Sequence, residues 1–141
     1  MTKLAQLITL EEGGWKLFNG KLVIVPGTLP ARDNNPGDLR HSPHSQHPGD
    51  PNAIGVIDTL ADGIADLERQ LQMDAVKYVS HDPVTGLPVT PPRLMQLRDA
   101  IYSWAPPNEN NSASYLEFVV NGFGGRVSTD TPLSAVLEIP A

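Results

Sequence analysis

Ala31-Arg32-Asp33-Asn34-Asn35-Pro36-Gly37-Asp38-Leu39-Arg40 is the stretch around which this 141-residue chain is organised. No periodic apolar pattern runs through it. Asn-Pro and Pro-Gly punctuate it, and both dipeptides mark turns. Pro36 fixes its own φ and pushes Asn35 out of the α region. Gly37 permits positive φ. Asn34 and Asn35 carry short amides that bond nearby backbone or a sugar. Alone, the stretch is a tight turn with side-chain caps. Its neighbours give it a sharper meaning.

Upstream, Leu4, Ala5, Leu7 and Ile8 recur at helical spacing, so Lys3 to Glu12 reads as an amphipathic helix stopped by Gly13 and Gly14. At about 100° per residue, Glu11 falls on the apolar face and Glu12 on its edge. A carboxyl at such an edge is partly desolvated, which raises its pKa and keeps a proton available near neutral pH. Periodicity favours Glu11 slightly for that part, and two solvated helix residues are the plainer reading. Trp15 and Phe18 follow. Leu22 to Val25, bounded by Gly20 and Pro26-Gly27, reads as a short extended segment. Trp15 suits the core better than a sugar-stacking platform.

Downstream, Arg40 to Pro51 is a polar loop in which His41, His44 and His47 recur every third residue, with Asp50 beyond. Imidazoles and a carboxylate could ligate a metal. Pro43 and Pro48 prevent the helix that would align them, so exposed loop histidines and no metal are expected. Ile54 to Asp58 is a second extended segment, with Asp58 at a strand-to-helix junction. Thr59, three residues before Asp62, starts a helix from Leu60 to about Tyr78. Gly63 inside it costs about 1 kcal/mol against Ala, which close approach of another segment would explain. Ser80 to Val89 reads as a turn-rich connection. Thr90 then caps a third helix with Pro91 at its first position, and Leu94, Leu97, Ile101 and Trp104 form its apolar face. Pro106-Pro107 ends it. Asn111 or Ser112 caps a fourth, with Tyr115, Leu116, Val119 and Phe123 turned inward. Thr131-Pro132 begins a last short turn before a frayed tail.

Composition narrows the function. The chain is long enough for one domain with a single core. It has 14 Pro and 12 Gly, above the ~12% average, and so predicts modest helices joined by long turn-rich loops. No apolar run is long enough to span a membrane. The first residues lack the pattern of a secretory signal. Zero cysteines exclude disulfides, Cys-ligated zinc and a Cys nucleophile. A net charge of −6 argues against nucleic acid and gives no help toward an anionic wall.

Three stretches together resemble a family of small phage and prophage cell-wall hydrolases with the lysozyme-like fold, related to goose-type lysozymes and soluble lytic transglycosylases. They are Glu12-Gly13-Gly14, the Asn34-Asn35-Pro36-Gly37 loop, and Trp104-Ala105-Pro106-Pro107-Asn108-Glu109-Asn110. A Gly55-Val56-Ile57-Asp58-Thr59 segment opening the next helix fits the same pattern, and the likeness runs in order from Leu4 to about Leu133. The chain differs at Asp33 and Asp38, where the family has Asn.

The resemblance implies a predominantly α, α+β lysozyme-like single domain of four to five helices, two short extended segments and long loops. It implies cleavage of the β-1,4 bond between N-acetylmuramic acid and N-acetylglucosamine in peptidoglycan. The chemistry is protonation of the glycosidic oxygen by a neutral carboxylic acid as an oxocarbenium-like centre develops. The family's acid immediately precedes Gly, which selects Glu12. Asn34 and Asn35, with Asp33, would orient N-acetyl groups or hold the loop. Tyr115 corresponds to a cleft-facing tyrosine, with a core role the competing reading. Asp33 and Asp58 are the possible second carboxylates. No cofactor is implied. The partner is the glycan strand, reached as a monomer made in the host cytoplasm and released by a holin or carried by a virion. Two other functions compete: an inactive virion, tail or wall-binding component, and a metal-dependent amidase or peptidase built on the loop histidines.

Overall fold

A computed structural model of the chain describes residues 1–39, 43–46, 54–108 and 110–141. Among these residues are six helices and two two-stranded antiparallel hairpins, an α+β architecture in which helix dominates. The backbone forms two compact units: Met1 with Ala5–Gln70, and Thr2–Leu4 with Leu71–Ala141.

Helix α1 spans Lys3–Glu11. Its apolar residues Leu4, Ala5, Leu7 and Ile8 are buried, but so are Gln6 and Thr9. The helix is therefore enclosed nearly all round, not amphipathic as its periodicity suggests. Enclosure is tolerable for Thr9 because its hydroxyl donates to Ala5 O at 2.7 Å. The helix ends one residue before the expected Glu12, as Gly13 turns to φ +84°.

Strands β1 (Trp15–Phe18) and β2 (Lys21–Ile24) pair with Trp15 opposite Ile24 and Phe18 opposite Lys21. Asn19 and Gly20 take φ of 51° and 76°, the left-handed pair that a two-residue hairpin turn requires. The Asn-Gly dipeptide between two apolar runs is the signal for this hairpin, of which the sequence reading recovers only the second strand. Helix α2 (Leu29–Arg32) follows, then the Asp33–Leu39 loop. Residues 54–57 are extended but form no sheet strand: Ile57 makes an isolated bridge with Ser45, and Gln46 N donates to Val56 O at 2.9 Å.

Helix α3 runs Leu60–Asp74. Its start is the expected one, with Thr59 Oγ1 accepting from Asp62 N at 3.2 Å. Its end falls short of Tyr78, which instead opens strand β3 (Tyr78–His81) paired with β4 (Pro88–Leu94). Val76, Tyr78 and Val79 favour extended backbone. This hairpin replaces the helix start expected at Thr90-Pro91. Val79 faces Arg93 and His81 faces Pro88, so Ser80 alone lies across from residues 89–92. Pro91 and Pro92 thus sit where the ladder is interrupted and no amide proton is needed.

Helix α4 begins later, at Leu97, and runs to Trp104. Its cap is reciprocal: Asp99 Oδ2 accepts from Gln96 N at 2.8 Å, and the Gln96 side chain accepts from the Asp99 backbone. Helix α5 (Ser112–Gly122) is capped by Asn111, whose side chain accepts from Ser114 N at 3.1 Å. Helix α6 spans Leu133–Val136. Leu97, Ile101, Val119, Phe123, Leu133 and Val136 bury the facing sides of these three helices. The tail is not frayed: Ile139 O accepts from Lys3 N at 2.8 Å, satisfying an amide that the first turn of α1 leaves open.

Candidate active site

The first unit holds most of the candidate residues. Glu12 lies just past the end of α1, half-buried, its amide still donating to Ile8 O at 3.0 Å. Glu11, the last helical residue, is solvent-exposed, the reverse of what periodicity predicts for the pair. Glu12 lies beyond the last helical residue, so the 100° count cannot rank it against Glu11. Even so, partial desolvation pushes the Glu11 carboxyl above the usual glutamate value.

Two residues on, Gly14 meets α2 so closely that a Cβ there would lie 2.9 Å from Ala31 N and 2.9 Å from Pro30 Cβ. Gly14 O also accepts from Val25 N at 2.9 Å. The turn carrying Glu12 is thereby fixed against the helix that leads directly into Asp33. Asp33 caps the C-terminus of α2, is buried, and accepts from Arg32 Nε at 3.0 Å. That bond and the charge of Asp33 raise the Arg32 pKa further.

Asn35 is wholly buried. Its Nδ2 donates to Leu39 O at 2.8 Å and Gly55 O at 3.0 Å, while its Oδ1 accepts from Leu39 N at 2.9 Å. Asn34 Nδ2 donates to Ile57 O and Asp58 O, both at 3.1 Å. Of the two roles implied by the resemblance, holding the loop is the one these bonds perform. The left-handed residues are Asn34 (φ 50°) and Asp38 (φ 53°), not Gly37. Asn and Asp tolerate that region, so Asp38 keeps the backbone shape that Asn would give.

The glycine inside α3 has its reason here. A Cβ on Gly63 would fall 2.0 Å from Asn34 O and 2.8 Å from Pro36 Cδ. The loop rests directly on the helix backbone, as its sequence position suggests. Asp58 is exposed and accepts from Gln46 Nε2 at 3.1 Å.

The carboxylate the sequence reading passes over is Asp66. It is 2% exposed on α3, accepts from His44 N at 2.9 Å and pairs with the His44 imidazole, which lies 3.9 Å from Asp62 as well. The bond and charge of Asp66 raise the His44 pKa above its usual value. The available signal was two acids four apart on α3 facing a histidine-bearing loop. His41, His47 and Asp50 lie outside the described residues; among those described, no group of three or more His, Cys, Asp or Glu is placed to hold a metal.

In the second unit Tyr115 is buried on α5, and Trp15 of the first unit is likewise buried, both in keeping with core roles. Each unit has a surface groove. One of about 430 Å³ lies beside β2 and α2, lined by Ile24, Pro26, Leu29 and Arg32 among others. One of about 360 Å³ lies beside α4 and α5, lined by Arg98, Tyr102, Leu116, Glu117 and Asn121 among others. Neither groove is lined by Glu12, Asn34, Asn35 or Tyr115. Compared with known proteins, the chain matches no family model, no curated protein and no solved structure.

Proposed function

We propose that this chain cleaves the β-1,4 bond between N-acetylmuramic acid and N-acetylglucosamine in peptidoglycan, with Glu12 as general acid. The observation that carries the reading is the seating of Glu12: half-buried at a helix end, on a turn whose Gly14 backbone is pressed against α2, next in space to the element that launches the Asn34-Asn35 loop. Half-burial at a helix end suits a carboxylic acid that must meet a substrate while partly shielded from water. A loop rigidly held by its own amides suits an enzyme that must keep a sugar in register with one proton.

The test is digestion of purified sacculi with products read by mass. Glu12→Gln is expected to lose activity at least about a thousandfold while its melting temperature stays near that of the parent. A reducing muramic end identifies hydrolysis, and an end lighter by one water identifies transglycosylation. If Glu11→Gln is the inactive variant instead, the acid is Glu11, whose raised pKa also suits the role.

A second reading, a wall-binding or virion component without turnover, is favoured by the commitment of the Asn35 amide to backbone partners. It requires that the parent bind sacculi and release no glycan fragment.

A further inference from the structure

The β1–β2 hairpin differs in charge from the rest of the chain. From residue 13 to residue 32 there are three cations, Lys16, Lys21 and Arg32, and no acid, within a chain of net charge −6. Arg32 is paired with Asp33, whereas neither lysine has an ion-pair partner among the described residues. The hairpin also exposes its large apolar side chains: Phe18 is 64% exposed, Ile24 55% and Leu17 42%.

The register says how these residues are arranged. Cross-strand partners share a face, so Lys16, Phe18, Lys21 and Val23 lie on one face, and Leu17, Leu22 and Ile24 on the other with buried Trp15. Apolar groups therefore emerge from both faces beyond Trp15. A flat protein partner would cover one face and leave the other in water. A tip entering an apolar phase end-on satisfies both, while the lysine stems reach back and keep their ammonium groups at the boundary. Leu29 (39% exposed) and the groove of about 430 Å³ walled by Ile24, Pro26 and Leu29 continue the apolar surface at the hairpin's base.

We infer that this hairpin docks the protein on an anionic lipid bilayer, with Phe18 and Leu17 inserted at the headgroup boundary and Lys16 and Lys21 against the headgroups. A strand of this length reaches about 13 Å, enough to enter the roughly 5–10 Å of the interfacial layer. An anionic wall polymer would engage the lysines but gives no reason for exposed Leu17 and Ile24, which do not stack on sugars as an aromatic ring does. The local field opposes the sign of the whole molecule and orients it, hairpin first, toward a negative surface.

The full chain is sedimented with vesicles of phosphatidylcholine alone, with vesicles of phosphatidylcholine and phosphatidylglycerol, and with lipid-free sacculi. Binding to the anionic vesicles is expected, weakening with added salt, and little to the neutral ones. Each lysine is worth about fivefold in partition, so Lys16→Gln with Lys21→Gln lowers it about twenty-fivefold. Phe18→Ser lowers it about tenfold without changing the charge. All these positions are exposed, so circular dichroism melts should match the parent. Failure to bind anionic vesicles, binding that these variants leave unchanged, or binding to sacculi alone would each overturn the inference. None of these readings depends on glycan cleavage, so Glu12→Gln should bind the vesicles as the parent does.

Discussion

The Asp33–Leu39 loop of the first unit and the Asp82–Asp99 region of the second are each held at several points, by different means. The loop is held mainly by neutral groups: amides on carbonyls, and a helix backbone with no side chain in the way. The other region is held by charge. Arg93 Nη2 donates to Asp99 at 2.9 Å and lies 3.4 Å from Asp82, and Arg98 Nη2 lies 3.1 Å from Asp82. Asp82 also accepts from the Val84 and Thr85 amides, and these bonds with the two arginines hold its pKa below the usual carboxylate value. Neutral packing fixes a backbone with little regard to pH or salt. A charge network fixes side chains and answers to both. The candidate site is built beside the first kind, which suits a reaction that needs fixed geometry.

The largest effect expected is at the neutral contact. Gly63→Ala, which in an ordinary exposed helix would stabilise by about 1 kcal/mol, should here destabilise by about 3 kcal/mol, because the new methyl meets the Asn34 carbonyl. Urea melts read the sign. A stabilising Gly63→Ala would mean the loop does not rest on α3, and the contrast would lose its first member. Next comes Asp99→Ala, which removes the helix cap and strands Arg93. It should cost about 2 kcal/mol, less than a fully buried pair because Arg93 is partly exposed and keeps Asp82 nearby. The gap between parent and Asp99→Ala should narrow as salt rises, whereas the Gly63→Ala gap should not. Equal salt dependence would erase the distinction.

Gly63 shows what the sequence could reveal: a glycine in an otherwise good helix signals a close neighbour, and the neighbour is the Asn34-Asn35 stretch. The helix cap at Thr59, the start of α5 at Asn111 or Ser112, and the buried row Tyr115, Leu116, Val119 and Phe123 were equally legible, because capping and period are local. The β3–β4 hairpin was not. Thr90-Pro91 satisfies the pattern of a helix start, and only pairing with the preceding strand across the hairpin overrides it. The Asn19-Gly20 turn was legible and overlooked. At the candidate site, the end of α1 was readable from Gly13 and Gly14, but the order of Glu11 and Glu12 was not. That order depends on where the helix stops, and the surroundings of α1, which also bury Gln6 and Thr9, come from other segments. Asp66 is the same lesson for a carboxylate: His44, which bonds it, lies 22 residues away in sequence.

The smallest effect expected lies at that pair and places a charged contact within the neutral region. The charged groups that the described residues set against His44 are Asp66 and Asp62, both on α3. The folded pKa of His44 is raised, so folding binds its proton more tightly. The resulting stabilisation is fully present below the unfolded value of about 6.5 and is lost as pH rises through the higher folded value. Neutral His44 still donates a hydrogen bond to Asp66 but no longer offers it a cation. The melting temperature of His44→Gln should therefore fall further below the parent's at about pH 6 than at about pH 9. A gap of the same size at both would show that the imidazole acts by shape alone, and the first unit would then owe nothing to charge at this contact.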